Sequence, residues 1–364
     1  MKTSSSTNRF SVEIESLRGV ASLLVVLGHF YILTILPQFL QTHSLILQTL
    51  IGGFFNPQPA VLLFFTISGL VLGRQLRKER VQDVSTYLAY ILRRAFRLLP
   101  LMWAAVLFAF ALQYAQTNSA NMSLLYLNLT LKDISLNLPL WSLKVELVCS
   151  LLFPILFWAF ITGSKLWNAL LFIGLSLLSY VWTQPIFVQF FVFFHAGLLI
   201  DYFNGKSQNN SRIANPLFLL FFTLVFMLAP DFGIGPRSWV YGQWQSWVLP
   251  EIVACSYLLF FIVHKSHSLV NRFLRLSFVR YLGKISFSVY LFHFPLLLFM
   301  LKKFPMAGFY QLAVFSLVYF SLLLCIASAT FRWVEMPTNR VGRTLSTWLL
   351  ERKKPSLGAM EASA

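Results

Sequence analysis

Arg18 and His29 are separated by ten small or apolar residues in Arg18-Gly-Val-Ala-Ser-Leu-Leu-Val-Val-Leu-Gly-His29. On an α-helix, eleven steps return to within about 20° of the start and climb about 16 Å. Both side chains then share one face, with the cation at a membrane edge and the imidazole about halfway across. Ionisable groups at such depth are costly, face a bundle interior, and support proton transfer there. Glu146 forms a second constellation. With Ser142, Cys149 and Ser150 it makes a polar stripe at i, i+4, i+7, i+8 spacing. A buried carboxylate in that stripe wants a cationic or hydrogen-bonding partner, and Lys144 lies on another face. A third group, Ser286, Tyr290 and His293, recurs at i, i+4, i+7 at the start of a later apolar run. Arg93, Arg94 and Arg97, closed by Pro100, form the fourth. Arginine forks at i, i+3 suit the oxygens of a polyanionic ligand, and positive-inside bias accounts for one or two of the same charges.

The elements that must position these residues are membrane helices. The chain is 57% hydrophobic and 11% charged, with a mean hydropathy of +0.70, whereas soluble domains carry roughly 25% charged residues. Its net charge of +17 invites a nucleic-acid reading. That reading fails, because the basic residues cluster in short segments between apolar runs. Stretches long enough to span occur near 20–37, 54–73, 98–115, 141–161, 166–183, 186–203, 214–230, 246–263, 285–301 and 308–330. The expected fold is an all-α integral membrane bundle of about ten transmembrane helices. Basic segments 74–97 and 264–284 and the tail from Arg332 place both termini in the cytoplasm. In this reading Glu146 sits about five residues past the outer edge of the fourth span. His29, Glu146 and His293 then reach similar central depths.

The organisation expected from sequence is a cytoplasmic N-terminal segment (1–17), a transmembrane domain (18–337) and a basic, disordered cytoplasmic tail (338–364). The apolar run after residue 17 reads as a retained helix, not a cleaved signal. Segments 116–140 and 231–245 read as loops on the opposite side. Trp239, Trp244 and Trp247 suit an interfacial belt, with a sugar-stacking platform as the alternative reading. Gly69 and Gly73 form a Gly-x-x-x-Gly step, a close helix contact. Cys149, Cys255 and Cys325 fall in apolar runs and give neither a disulfide framework nor a metal spacing. His195, set among phenylalanines, reads as core. No nucleophile elbow, phosphate-cradling loop or nucleotide fingerprint is present.

At these residues the chain resembles acyltransferase family 3, polytopic membrane O-acyltransferases acting on extracytoplasmic glycans and related acceptors. Leu17-Arg18-Gly19 with His29 looks like the family's opening segment and its Arg-x10-His motif. Phe64-Phe-Thr-Ile-Ser68-Gly69 resembles the second-helix motif, and Arg94-x-x-Arg97 with Pro100 the basic third-helix entrance. Trp141-Ser142-Leu-x-x-Glu146 is similar to the family's Trp-Ser-Leu-x-x-Glu. Leu282-Gly283-Lys-Ile-Ser286…Tyr290-Leu-Phe-His293-Phe-Pro295 and Arg332-x-x-Glu335-x-Pro337 complete six motifs in order. The chain departs from the pattern at Glu15, where Asp is common, and at Leu147, where the family often has a second acidic residue.

The resemblance implies transfer of an acyl group, acetyl by expectation, from cytoplasmic acyl-CoA to a hydroxyl of an extracytoplasmic polysaccharide or glycolipid. His29, Glu146 and His293 are then the expected catalytic residues, with His29 acting as general base or as acyl carrier. Arg18, Arg94 and Arg97 would bind acetyl-CoA, a co-substrate. Ser142 and Tyr290 would contact substrate. No metal is implied. The expected partners are membrane lipid and a glycan or glycolipid acceptor, with no nucleic acid, in the inner membrane of a bacterium. A proton-coupled transporter of a small molecule or glycan precursor is the rival expectation.

Overall fold

A computed structural model describes residues 3–35, 51–53, 55–79, 83–181, 187–202, 248–264, 269–304 and 308–351. Among these the chain is all-helical. Helix α1 covers Thr3–Phe30 and continues into a π-helical turn at Tyr31–Ile35. It is followed by α2 (Gln58–Glu79), α3 (Val84–Thr117), α4 (Met122–Leu129), α5 (Leu140–Thr162), α6 (Lys165–Val181) and α7 (Phe187–Tyr202). Then come α8 (Val248–His264), α9 (Leu269–Leu274), α10 (Ser277–Lys303) and α11 (Phe309–Thr330). A π-helical turn at Phe331–Glu335 leads into α12, Met336–Glu351.

Six helices are long and apolar enough to cross a membrane: Val12–Ile35, Ile51–Glu79, Val84–Thr117, Leu140–Thr162, Ser277–Lys303 and Phe309–Glu351. Shorter apolar helices occupy Lys165–Val181, Phe187–Ile200 and Val248–Val263. The protein is a multi-pass membrane protein. Each expected span overlaps one of these helices except 214–230, which lies outside the described residues, as do 231–245 and the three tryptophans near it. Residues 336–351 correct the expectation of a disordered tail from 338. They form α12, and Gly342 packs so tightly on Phe96 of α3 that an added Cβ would lie 2.5 Å from the Phe96 Cβ. Residues 352–364 are outside the described set.

The chain divides into two compact units, one of Met1–Gly73 and Leu156–Tyr290 and one of Arg74–Ile155 and Leu291–Ala364. In the first, glycines set the helix spacing. A Cβ on Gly19 would lie 2.4 Å from the Gly283 backbone nitrogen, and one on Gly283 would lie 2.5 Å from the Glu15 carbonyl. Backbones approach this closely only where neither residue carries a side chain. The Gly69/Gly73 step behaves as its spacing predicts, with a Cβ on Gly69 meeting the Phe194 carbonyl at 2.0 Å.

In the second unit, α3 is the axis. Asp83 caps it in a reciprocal box with Thr86, and Asn118 closes it in the left-handed conformation. Its 34 residues rise about 51 Å, well beyond a hydrocarbon core of about 30 Å. The turns that bear Arg93, Arg94 and Arg97 extend towards its N-terminal end.

α5 runs antiparallel to this basic end. The Tyr87 hydroxyl donates to the Leu151 carbonyl (3.1 Å) and that of Tyr90 to the Ser150 carbonyl (2.9 Å). Arg94 reaches Glu146 one turn further on. That register sets Leu140, the start of α5, beside about residue 100, near the middle of α3.

α4 and α5 are separate helices joined by a turn. α4 descends beside α3 as far as Trp103, whose indole N–H donates to the Leu129 carbonyl at 3.2 Å. A short non-helical stretch then leads to α5. It is held by Asn128, whose Oδ1 accepts from the Leu136 N–H at 3.2 Å. It is held also by Asn137, whose Nδ2 donates to the Leu291 carbonyl at 2.9 Å. Both asparagines are fully buried. These bonds satisfy polar groups of the buried part of the turn with protein partners. Within the segment read as the loop 116–140, residues Met122–Leu129 are helical.

Two helix prolines explain two of these bonds. Pro154 in α5 and Pro295 in α10 lack the N–H that would reach the carbonyl four residues earlier. Those carbonyls belong to Ser150 and Leu291. Each instead accepts a side-chain donor from another segment, Tyr90 in the first case and Asn137 in the second. An unsatisfied carbonyl in an apolar interior costs about 1–3 kcal/mol, so tertiary donors replace the missing helical ones.

Candidate active site

In the first unit α1 carries Arg18 and His29. The helix is anchored next to Arg18 by the Gly19–Gly283 contact and by an ion pair whose carboxylate is buried. Glu13 is buried, and its Oε1 accepts from Arg275 Nε at 2.7 Å and from Nη2. Ser22 donates to the Gly19 carbonyl at 2.9 Å. Arg18 is partly exposed. Eleven residues on, the His29 Nδ1 stands 3.0 Å from the Val25 carbonyl. A carbonyl oxygen can only accept, so Nδ1 carries the hydrogen and Nε2 of the neutral ring keeps the lone pair. The backbone thus selects the tautomer in which Nε2 can take a proton or attack a carbonyl carbon. Gly28 lets the helix end pack closely, since a Cβ there would lie 2.5 Å from the Phe55 carbonyl.

Tyr290 belongs to this unit. It is buried and packs edge-on against Phe64 of α2 at 5.8 Å between ring centroids. Ser286, on the same α10 face, is buried as well.

In the second unit the arginine cluster and the α5 stripe meet. Arg94 Nη2 donates to Glu146 Oε1 at 3.0 Å and to Ser150 Oγ at 2.7 Å. Glu146 and Ser150, one turn apart, so hold a single guanidinium nitrogen. The side chains of Arg94 and Glu146 are 9% and 16% exposed, which removes most of the water that would screen the pair. Arg94 Nε is buried with no hydrogen-bond partner in the structure. Arg93 pairs with Glu79, and Arg97, one turn beyond Arg94, is half-buried. The rest of the stripe faces inward as its spacing predicts. Ser142, Cys149 and Ser150 are buried while Lys144 is exposed. Ser142 donates to the Pro139 carbonyl at 3.1 Å.

His293 lies in this unit and is wholly buried. Its own carbonyl accepts the Tyr319 hydroxyl of α11 at 3.1 Å. It sits two residues before Pro295 and two after Leu291, whose carbonyl Asn137 holds. The sequence motif around His293 is therefore braced on both sides by side chains from other segments.

Of the expected site residues, the structure joins Arg94 to Glu146. It places Arg18, His29 and Tyr290 in the first unit, and Arg94, Arg97, Ser142, Glu146 and His293 in the second. Sequence reasoning treated Arg94 as a ligand contact and Glu146 as a carboxylate of unnamed partner, because 52 positions separate them. The stripe spacing was the available signal, since it put Ser150 beside Glu146. Glu13, Asn137 and Tyr90 were passed over. Glu251 of α8 was missed also; it is buried, and neither carboxylate oxygen has a hydrogen-bond partner in the structure. His195 is core, fully buried between Phe160 and Phe172. Among the described residues no group of three or more His, Cys, Asp or Glu side chains is placed to hold a metal ion.

A family model described as an acyltransferase domain matches residues 11–331, nearly the whole chain. No curated protein and no solved structure matches it.

Proposed function

The chain belongs to acyltransferase family 3, and on that premise we propose that it moves an acetyl group from cytoplasmic acetyl-CoA to a hydroxyl of an extracytoplasmic polysaccharide or glycolipid. In this reading the bundle has ten spans in a bacterial inner membrane, with both termini and the basic end of α3 in the cytoplasm. The observation that carries it is the His29–Val25 bond, which supports an imidazole with its lone pair on Nε2, eleven residues from an arginine.

Acetyl-CoA offers phosphates and a thioester. Arg97 and Arg94 bind the phosphates at the basic end, where a guanidinium fork matches two oxygens at once. Glu146 and Ser150 hold Nη2 of the Arg94 guanidinium and so fix its orientation. Arg18 steers the donor along the same route.

At His29 two routes balance. As a general base, Nε2 takes the proton of the acceptor hydroxyl while its oxygen attacks the thioester carbon. The C–S bond breaks, and the proton passes to the departing CoA thiolate. As a carrier, Nε2 attacks the thioester carbon and CoA leaves as thiolate. The hydroxyl oxygen then takes the acetyl group, and its proton ends on CoA. Tyr290 and His293 serve to position substrate or to stabilise the oxyanion, and Ser142 contacts substrate. Glu335 is structural.

The test uses sealed membranes containing the protein, with labelled acetyl-CoA on the cytoplasmic side. Label should enter a glycan or lipid fraction in wild type and not in a normally inserted His29→Ala variant. Absence of transfer to any envelope fraction by folded wild-type protein would refute the enzyme reading in favour of transport.

A further inference from the structure

Helix α12 presents three faces. Gly342 and Ser346, one turn apart, are buried, and Gly342 lies against Phe96 of α3. Val341, Leu345 and Trp348 recur at i, i+4, i+7 and are exposed. They form an apolar stripe about 110° round the helix from the buried pair. Arg340 and Arg343, with Thr344 and Thr347, fill the remaining sector and are exposed too. The helix follows the membrane-spanning α11 through one π-helical turn, with no loop between them.

An apolar stripe beside an arginine face suits a bilayer interface. Aliphatic and aromatic side chains enter the boundary between headgroups and acyl chains, and arginines on the adjoining face meet the phosphates. Trp348 in the stripe and the exposed Trp333 of the π-helical turn are of the residue type that concentrates at that depth. Charge selects the lipid. From Arg332 to Lys354 the sequence holds six basic residues against Glu335, which is buried, and Glu351. Such a cluster directly after a membrane span fits anionic headgroups, and each arginine near a charged surface strengthens attachment about fivefold. Phe96 gives the contact a consequence. It follows Arg94 by two residues, about 200° of helix, so Arg94 faces α5 while Phe96, across the same turn, meets α12. The turn that bears Arg94 and leads to Arg97 is held between the two helices.

We propose that α12 is an interfacial helix that binds anionic phospholipid, with Val341, Leu345 and Trp348 at the acyl boundary and Arg340 and Arg343 at the phosphates, and that the bound lipid seats α12 on the Arg94–Arg97 turn of α3. Membrane charge thereby reaches the residues proposed to hold the donor phosphates. The lipid site itself stands apart from the acyl-transfer reading, and so does its test.

The experiment uses the full chain in nanodiscs of phosphatidylcholine, alone or mixed with phosphatidylglycerol. Leu345→Cys and Arg343→Cys each carry a nitroxide, in a Cys325→Ser background because Cys325 is exposed. Collisions of the label with oxygen, which concentrates in acyl chains, are compared with those of a water-soluble nickel chelate. In the mixed discs the label at position 345 should meet oxygen more often than nickel, and the label at 343 the reverse. Arg340→Gln with Arg343→Gln should move the 345 label back towards nickel, and high salt should do the same by screening. Nickel reaching 345 as freely as 343 in both discs would overturn the lipid site. Shielding of 345 from both reagents, with spin coupling between copies, would put a second copy on the stripe and overturn it equally. The link to α3 is read on unfolding. Phosphatidylglycerol should raise the melting point of wild type and lose that effect in Gly342→Leu, which cannot seat on Phe96. Phe96→Ala cuts the same contact without added bulk and guards against a folding defect. Equal stabilisation of both variants and wild type by the anionic lipid would overturn the link.

Discussion

Replacing Tyr90 by Phe removes one oxygen from a fully buried ring and leaves the aromatic packing in place. The lost group is the donor to the Ser150 carbonyl at 2.9 Å. Pro154 cannot supply a substitute, so the carbonyl is left bare beside the residue that holds Arg94. A buried acceptor without a partner costs about 1–3 kcal/mol, and Tyr90→Phe should lose that much stability. The reasoning makes a sharper claim. In the Tyr90→Phe background, Pro154→Ala restores the N–H four residues after Ser150 and with it the helical bond. The double variant should recover about half or more of the loss, a coupling of 0.5 kcal/mol or greater. The assay is thermal or chemical unfolding of all four proteins in one detergent, scored as a double-mutant cycle. Additive losses would refute the idea that Tyr90 stands in for the missing N–H.

Three further outcomes follow from the same geometry. Arg94→Ala and Glu146→Ala should each reduce transfer and stability, and the double variant should be less impaired than their sum. A poorly hydrated pair at 3.0 Å should couple by about 2 kcal/mol, above the 0–1 kcal/mol of exposed pairs, and a cycle read on unfolding measures it. Gly19→Ala and Gly283→Ala should each destabilise the first unit by about 1–3 kcal/mol, because the new Cβ meets backbone that cannot yield as a side chain can; the yield of folded protein and its melting point report this. The Ser135 N–H donates to the exposed Asp133 carboxylate and holds its pKa below the ordinary value. The stabilisation of that turn is complete above the unfolded pKa near 4 and is lost as pH falls through the folded one. The difference in melting temperature between wild type and Asp133→Asn should therefore be present at neutral pH and shrink towards zero below about pH 4; a difference that persists at low pH would refute the link.

Spacing made much of the architecture legible. Apolar run lengths located the helices, because a membrane demands a fixed length of apolar chain whatever its partners. The i, i+4, i+7, i+8 stripe of α5 was readable for the same local reason. What failed depended on distant residues. Hydropathy does not mark which residues of a neighbour a helix start will face, so nothing local showed that Leu140 opens beside the middle of α3. The partner of Glu146 was hidden because side chains 52 positions apart carry no mark of their meeting. Residues 338–351 looked polar enough to be unstructured. Their order comes from tertiary contact, Gly342 against Phe96, and not from helix propensity.

The two proline-released carbonyls also bear on biogenesis. In each case the donor precedes the proline in the chain: Tyr90 comes before Pro154, and Asn137 before Pro295. Synthesis runs from the N-terminus, so each donor has left the ribosome before the carbonyl that needs it is threaded into lipid. Neither α5 nor α10 has to enter the bilayer as an independently satisfied rod. Each completes its polar contacts on a surface that earlier segments have already built, and a circular permutation that reversed either order would expose a bare carbonyl during insertion.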